Sequence, residues 1–259
     1  MSLVRISKAF FYLFGKYNIL KTDYMNKNIA IILAGGSGLR LESKLPKQFI
    51  EVAGKTLIEY TINTFQKANS IDEIAIVINT DYFSEIKTII TNNNFSKVKK
   101  ILAGGKDRNG SSLSAINAYK TEENHDNINL IFHDAVRPLV SNNIIENVVN
   151  ALKEYNSVDV AVPATDTIME IDKNGFIKKI PNRKYLKISQ TPQAFKLSTI
   201  KKAYEIALQD PNFMTTDDCS VVLKYLKDEK IFIVNGSEEN IKITYKSDLL
   251  LFEELLKQQ

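Results

Sequence analysis

A run of glycines followed by two cations is the first chemistry the chain offers. Leu33-Ala34-Gly35-Gly36-Ser37-Gly38-Leu39-Arg40 leads on to Leu45-Pro46-Lys47-Gln48-Phe49. Glycines at the exit of a strand let backbone N–H groups approach an oxyanion closely, and clustered donors make a concavity suited to phosphate. Arg40 and Lys47 follow closely enough for both to reach the same phosphates, and Pro46 stiffens the approach to Lys47. Displacement at an α-phosphorus develops charge on the equatorial oxygens and on departing pyrophosphate, which fixed cations stabilise more in the transition state than in the ground state. Arg40 and Lys47 are therefore the candidate catalytic cations. Taken alone, the same segment also reads as an ordinary strand-to-helix turn with two solvated surface charges.

A second glycine pair, Gly104-Gly105, ends another apolar run, where missing side chains would let a flat base lie against backbone. Arg108, Asn109 and Ser111 follow it, and Ser111 reads equally as a residue at a helix N-terminus. Asp134 comes after the apolar stretch Leu130 to His133, at the sheet edge where α/β proteins gather their ligands. A carboxylate there could hold a Mg²⁺ bridging nucleotide phosphates, because that ion takes oxygen ligands, or it could cap the next turn. His133 is read as structural.

Alternating strands and helices must position these groups. The pattern predicts strands at Ile29 to Ala34, Ile74 to Ile78, Val98 to Ala103, Leu130 to His133, Val158 to Val162 and Ile231 to Val234. Helices are predicted at Leu57 to Ala68, Tyr82 to Asn92 and Ser111 to Tyr119, from Ser141 onward, and at Ser198 to Leu208, Asp217 to Leu226 and beyond Lys246. This order implies a mainly parallel sheet with helices on both faces. Between Thr165 and Ile188 the segments shorten around a turn at Lys173-Asn174-Gly175, which predicts a β-hairpin arm leaving the body. Residues 1–24, with the apolar Ala9 to Phe14 stretch between Lys8 and Lys16, are set aside as an extension of unknown role. An amphipathic helix, a misplaced translation start and an added segment all fit it, and the working domain is expected over residues 25–259.

Composition narrows the classes. Hydrophobic residues at 44% and charged residues at 25% belong to an ordinary globular chain, which excludes fibrous and disordered classes. A net charge of +4, from 34 Lys and Arg against 30 Asp and Glu, is too mild and dispersed for a nucleic-acid footprint and fits a local anionic ligand better. No apolar run reaches the roughly 18 residues of a membrane span. Cys219 is the only cysteine, so no intramolecular disulfide can form, and with His125 and His133 it cannot build a zinc site. A reducing cytoplasm is the expected location.

The opening loop, together with Gly104-Gly105, His133-Asp134-Ala135-Val136-Arg137-Pro138, Pro163-Ala164-Thr165-Asp166-Thr167, Gln190-Thr191-Pro192-Gln193, Thr216-Asp217-Asp218 and Asn240-Ile241-Lys242-Ile243-Thr244, resembles one family in order over about residues 28–256. It is that of the cytidylyltransferases acting on methylerythritol 4-phosphate or ribitol 5-phosphate. The resemblance implies a single Rossmann-like nucleotidyltransferase domain, a homodimer formed through the arm, and transfer of CMP from CTP to a polyol phosphate with release of pyrophosphate. It places CTP against Leu33, Ala34, Gly35, Gly36, Gly38, Gly105, Ser111 and Asp134, with Asp134 also near Mg²⁺. Lys242 would lie at the junction of nucleotide and acceptor, joining Arg40 and Lys47 as a catalytic cation. Arg137, Thr167 and Arg183 would frame the acceptor, with Arg183 gripping its phosphate and the arm serving the partner's site.

An acceptor phosphate oxygen is already ionised near neutral pH, so the implied reaction needs no protein nucleophile, in keeping with the lack of a Ser/His/Asp or Cys/His constellation. Ile168-Met169-Glu170 stand where methylerythritol-phosphate enzymes usually carry a basic residue soon after the threonine; with Ile180 to Arg183 and Asp107 to Asn109 this favours D-ribitol 5-phosphate. Methylerythritol 4-phosphate is the runner-up, so the product would feed either a ribitol-containing polymer or isoprenoid precursors. A regulatory module keeping the fold alone would be favoured by loss of Arg40, Lys47 or Lys242, and all three are present. A sugar-1-phosphate nucleotidyltransferase should lack the Gln190 to Gln193 and Asn240 to Thr244 motifs, and a dehydrogenase would need an acidic ribose-binding residue after the glycine turn.

Overall fold

The computed structural model describes residues 26–36, 46–121 and 127–258. The N-terminal stretch 1–24, Gly38 and Arg40 lie outside these described residues. In chain order the first elements are β1 (Lys27–Leu33), a 3₁₀ turn at Lys47–Phe49, β2 (Glu51–Val52), β3 (Lys55–Thr56), α1 (Leu57–Lys67), β4 (Glu73–Ile78), α2 (Phe83–Asn92), β5 (Val98–Ala103) and α3 (Arg108–Tyr119). There follow β6 (Ile128–Asp134), α4 (Asn142–Ala151), β7 (Ser157–Pro163), β8 (Glu170–Ile171), β9 (Ile177–Lys179), β10 (Lys187–Ser189) and β11 (Gln193–Lys196). The chain ends with α5 (Leu197–Ala207), α6 (Asp218–Tyr225), β12 (Phe232–Asn235) and α7 (Lys246–Leu256).

β1 runs through the middle of an eight-stranded sheet, paired in parallel with β4 on one side and β6 on the other. With apolar cover on both faces a central strand can be hydrophobic throughout, and Ile29, Ala30, Ile31 and Ile32 are all fully buried. Successive side chains point to opposite faces. Ala30 and Ile32 join Ile58, Ile62 and Phe65 of α1 and Ile144, Ile145 and Val148 of α4 in one core. Ile29, Ile31 and Leu33 join Ala115 and Ile116 of α3, Ile200 and Tyr204 of α5 and Val222 of α6 in the other. Parallel β5 extends the sheet beyond β4, and β12 lies parallel to β7. Among the described residues no helix is long and apolar enough to cross a membrane.

The predicted fold class is what forms: a single α/β domain whose mostly parallel sheet carries helices on both faces and a β-arm. Three details differ from expectation. β2 and β3 make an unforeseen hairpin; Ala53 and Gly54 at its turn take positive φ of 49° and 78°, as a tight hairpin turn requires. α3 begins at Arg108 rather than Ser111, because Asp107 caps it by accepting the Gly110 N–H at 2.7 Å. The return from the arm adds an unforeseen strand: β10 and β11 run in succession along β7, and β11 enters the sheet antiparallel between β6 and β7. Only Ala194 and Phe195 are apolar there, too short a run to give a periodic signal. The arm itself leaves after Pro163, carries the β8–β9 hairpin and returns at Lys187.

Candidate active site

The chain leaves β1 toward β4 and β5, then crosses back to β6 on β1's other side. Such a reversal opens a crevice at the C-terminal ends of the two central strands. Here it forms a cavity of about 400 Å³. Leu33, Ala34, Gly35 and Gly36 form one wall, Lys47 and Gln48 the next, and Gly105 to Arg108 with Ser111 a third; Asp134, Val136, Thr216 and Lys242 close it. Four cations, Lys47, Lys106, Arg108 and Lys242, face two carboxylates, Asp107 and Asp134, so the lining favours an anion.

Local contacts explain the shape. Gln48, almost wholly buried, donates Nε2 to the Ala34 carbonyl at 2.7 Å and so ties the Lys47 turn to the exit of β1. Lys47 Nζ reaches the Ile243 carbonyl at 3.4 Å, beside Lys242. Gly105 is required by close approach, because a Cβ there would run into the Gly110 backbone. Its N–H donates to Ser111 Oγ at 3.1 Å, and that hydroxyl donates on to the Asp107 carbonyl at 3.0 Å. Ser111 thus lies inside the first turn of α3, not at its cap.

Asp134 is the electrostatic centre. Its Oδ1 accepts from Arg108 Nη1 at 2.5 Å and its Oδ2 from Lys242 Nζ at 2.8 Å, with Arg137 Nε 3.8 Å away. Burial alone would raise this carboxyl's pKa; Arg108, Lys242 and Arg137 more than reverse that and hold it far below the usual carboxylate range. Arg108 also donates Nη2 to Asp218 Oδ2 at 2.9 Å. Burial would lower the guanidinium's pKa, and the two carboxylates, Asp218 first, push it up instead.

His133 is buried directly behind Asp134. Its Nε2 is 3.1 Å from the Arg137 carbonyl, which can only accept, so Nε2 carries the proton and Nδ1 accepts from the Thr191 hydroxyl at 3.0 Å. Thr191 Oγ1 in turn accepts the Asp134 N–H at 3.1 Å. Burial lowers the imidazole pKa to about 4, so His133 is a neutral strut.

Of the predicted residues, Leu33, Ala34, Gly35, Gly36, Lys47, Gly105, Ser111, Asp134 and Lys242 meet at this cavity. Arg137 lies behind the wall, donating Nη1 to the Asn240 carbonyl at 2.7 Å. Thr167 and Arg183 are exposed on the arm and do not line the cavity; Arg183 Nη1 donates to the Thr165 carbonyl at 2.6 Å. Arg40 and Gly38 are outside the described residues. The sequence reading assigned no role to Lys106, Arg108, Gln48 or Thr216, all of which line the cavity. The signal for the first two was available: cations within three residues of a glycine pair that ends a predicted strand of the parallel sheet.

The model of the IspD family, described as 2-C-methyl-D-erythritol 4-phosphate cytidylyltransferase, matches residues 28–258. The chain belongs to this family. It is a cytidylyltransferase, an enzyme dependent on CTP. It is similar to the bifunctional ribulose 5-phosphate reductase/CDP-ribitol pyrophosphorylase of Haemophilus influenzae, 48% identical over 233 residues that cover 90% of this chain. The match spans only 48% of that relative's length. It is also similar to the 2-C-methyl-D-erythritol 4-phosphate cytidylyltransferase of Thermobifida fusca, 42% identical over 88% of this chain and 92% of the relative. Among solved structures, the 4-diphosphocytidyl-2C-methyl-D-erythritol synthase of Anaerococcus prevotii superposes with a TM-score of 0.77 at 33% identity, covering 90% of this cytidylyltransferase and 96% of its own chain.

Proposed function

We propose that this cytidylyltransferase transfers CMP from CTP to D-ribitol 5-phosphate, forming CDP-ribitol and pyrophosphate. The observation that carries the reading is the 48% identity to the Haemophilus influenzae protein, of whose two named activities only the CDP-ribitol pyrophosphorylase is a cytidylyl transfer. Ile168, Met169 and Glu170 in place of a basic residue after Thr167 support it. A second reading, methylerythritol 4-phosphate as acceptor, is favoured by the family description and by the Thermobifida fusca relative.

In either case an oxygen of the acceptor phosphate attacks the α-phosphorus of CTP, forming the new P–O bond as the bond to pyrophosphate breaks. Leu33 to Gly36 and Gly38 cradle the triphosphate, while Gly105 and Ser111 shape the pocket for the base. Arg40, Lys47 and Lys242 stabilise charge developing on the phosphoryl oxygens and the leaving group. Arg137, Thr167 and Arg183 frame the acceptor. Thr167 and Arg183 lie on the arm, and Ile171, Phe176, Ile177 and Tyr185 there are each at least 58% exposed, a surface suited to cover by a second subunit. The dimer reading has the arm of each subunit serve the other's cavity, within a working domain of residues 25–259 that residues 1–24 precede as an extension.

Mg²⁺ fits Asp134. Each carboxylate oxygen has two lone pairs and each accepts one hydrogen bond from a cationic side chain, leaving a free position on both. No group of three or more His, Cys, Asp or Glu gathers among the described residues, so the ion would rest on Asp134, nucleotide phosphates and water, the arrangement Mg²⁺ favours. When bound it would neutralise phosphate charge.

The test is pyrophosphate release from CTP and Mg²⁺ with D-ribitol 5-phosphate and with methylerythritol 4-phosphate as competing acceptors. A preference of at least about tenfold in kcat/KM for ribitol phosphate is expected, some 1.4 kcal/mol of transition-state discrimination. The opposite preference would replace the first reading by the second.

A further inference from the structure

Two motifs of the sequence, Arg108-Asn109 and Thr216-Asp217-Asp218, interlock in the structure. Asn109 donates Nδ2 to the Thr215 carbonyl at 3.2 Å and accepts the Thr215 hydroxyl at 3.0 Å. Asp218 at the start of α6 is fully buried and does not line the cavity. Its Oδ2 accepts from Arg108 Nη2 at 2.9 Å and its Oδ1 from the Tyr204 hydroxyl at 2.8 Å. Its own N–H donates to Gln193 Oε1 at 3.2 Å, and Gln193 Nε2 donates to the α6 cap, Asp217, at 2.8 Å. Asp218 is therefore held from three directions, and Arg108 is the one group among these partners that continues into the cavity.

We infer that Asp218 is a positioning residue that holds Arg108 at the cavity wall, so that Nη1 passes from Asp134 to the CTP phosphates while Nη2 stays anchored. Without that anchor, Arg108 is free to close both forks on Asp134, forming a bidentate pair. Such a pair would withdraw the arginine from the triphosphate and occupy the carboxylate positions left for Mg²⁺. With the anchor, one fork is committed to Asp218 and only one can occupy Asp134. Tyr204 supports Asp218 in turn, fixing the orientation of its carboxylate.

The inference rests on the reading of this cavity as the CTP site, and a double-mutant cycle tests it apart from the acceptor assignment. In purified full-length protein, Asp218→Asn lowers kcat about 30- to 100-fold and raises the KM for CTP less than about tenfold, as misplacing a cation at developing charge should. Arg108→Gln lowers it similarly, and the double variant, which buries no lone charge, is no slower than Arg108→Gln. Wild-type kcat in folded Asp218→Asn, or single effects that multiply in the double variant, would overturn the inference. Should Asp218→Asn fail to fold because Arg108 is left uncompensated, Tyr204→Phe takes its place. That variant keeps the ring and withdraws one donor, and is expected to lower kcat about three- to tenfold, with no effect when added to Arg108→Gln; an unchanged kcat, or an equal effect with Arg108→Gln, would overturn the inference. If the wild-type enzyme turns over neither acceptor, the acceptor assignment fails alone. The same cycle read by calorimetric CTP affinity needs no acceptor, and additive losses there would reject the role of Asp218.

Discussion

Two buried aspartates of one sheet have opposite surroundings. Asp134, at the end of β6, faces Arg108, Lys242 and Arg137. Asp159, within β7, accepts at a single oxygen from the Val160 N–H, the Ser189 hydroxyl and the Gln193 amide, with the Asp217 carboxylate nearby. Burial pushes the Asp159 carboxyl up to about 6, whereas cations hold Asp134 ionised at any pH near neutral. The lesson lies in the excess: four cations line the cavity beside Asp134 against two carboxylates. A cavity with that surplus is set up for a more highly charged anion, such as the triphosphate of the proposed function. The hydrogen bonds of Asp159 come from neutral donors inside the fold, and Arg137 is a cation whose field it shares with Asp134.

Removing charge from the first region should affect catalysis most. Lys47→Ala is expected to lower pyrophosphate release by about 10²- to 10³-fold with an unchanged circular dichroism spectrum; normal turnover would remove Lys47 from the mechanism. Asp134→Asn should produce a loss of similar order, because it removes the charge that pairs Arg108 and Lys242 and, on the proposed reading, the carboxylate that would hold Mg²⁺. Next in size is a test of the arm. Arg183→Ala should raise the acceptor KM about tenfold and leave that for CTP unchanged, in keeping with the loss of one charge-assisted contact. If the arm serves the second subunit, an equimolar, subunit-exchanged mixture of Lys47→Ala and Arg183→Ala proteins, assayed at acceptor well below KM where Arg183→Ala alone keeps about a tenth of wild-type activity, reaches about a quarter of it, since half the dimers carry one intact site of two. A mixture no more active than its components would place arm and cavity in the same chain's site, or deny the dimer.

The parallel core was legible because it is written as repeated signals: a β-branched run, a glycine exit and an amphipathic helix recur. Most of the cavity was legible for the same reason, since Leu33 to Gly36, Gly105 and Asp134 sit at strand exits that topology brings together. Arg108 was visible as part of a motif but without a role, because its importance comes from Asp218, 110 residues away in sequence. β11 was missed because its burial comes from the neighbouring β6 and β7, not from any periodicity of its own. Arg137 stands three residues after Asp134, and its contact with the Asn240 carbonyl through Nη1, 103 residues away, could not be read from the motif.

The smallest effect concerns stability and sharpens the contrast between the two acids. Asp159 is raised from 3.8 to about 6, so the folded protein binds that proton more tightly than the unfolded chain. Its stabilising contribution is full below about pH 4 and is lost as pH rises through about 6, a difference of about 3 kcal/mol. Asp134 has the opposite sign: its pKa is depressed on folding, so its contribution is present above about pH 4 and fades as the pH falls. Asp159→Asn keeps the acceptor oxygen and removes the ionisation. Its Tm should exceed that of the wild-type protein at pH 7.5 and approach it as the pH falls toward about 4, with kcat unchanged at pH 7.5. A Tm difference of the same size at both pH values would mean that Asp159 ionises without penalty, and that the neutral donors around it stabilise its charge as well as cations stabilise Asp134.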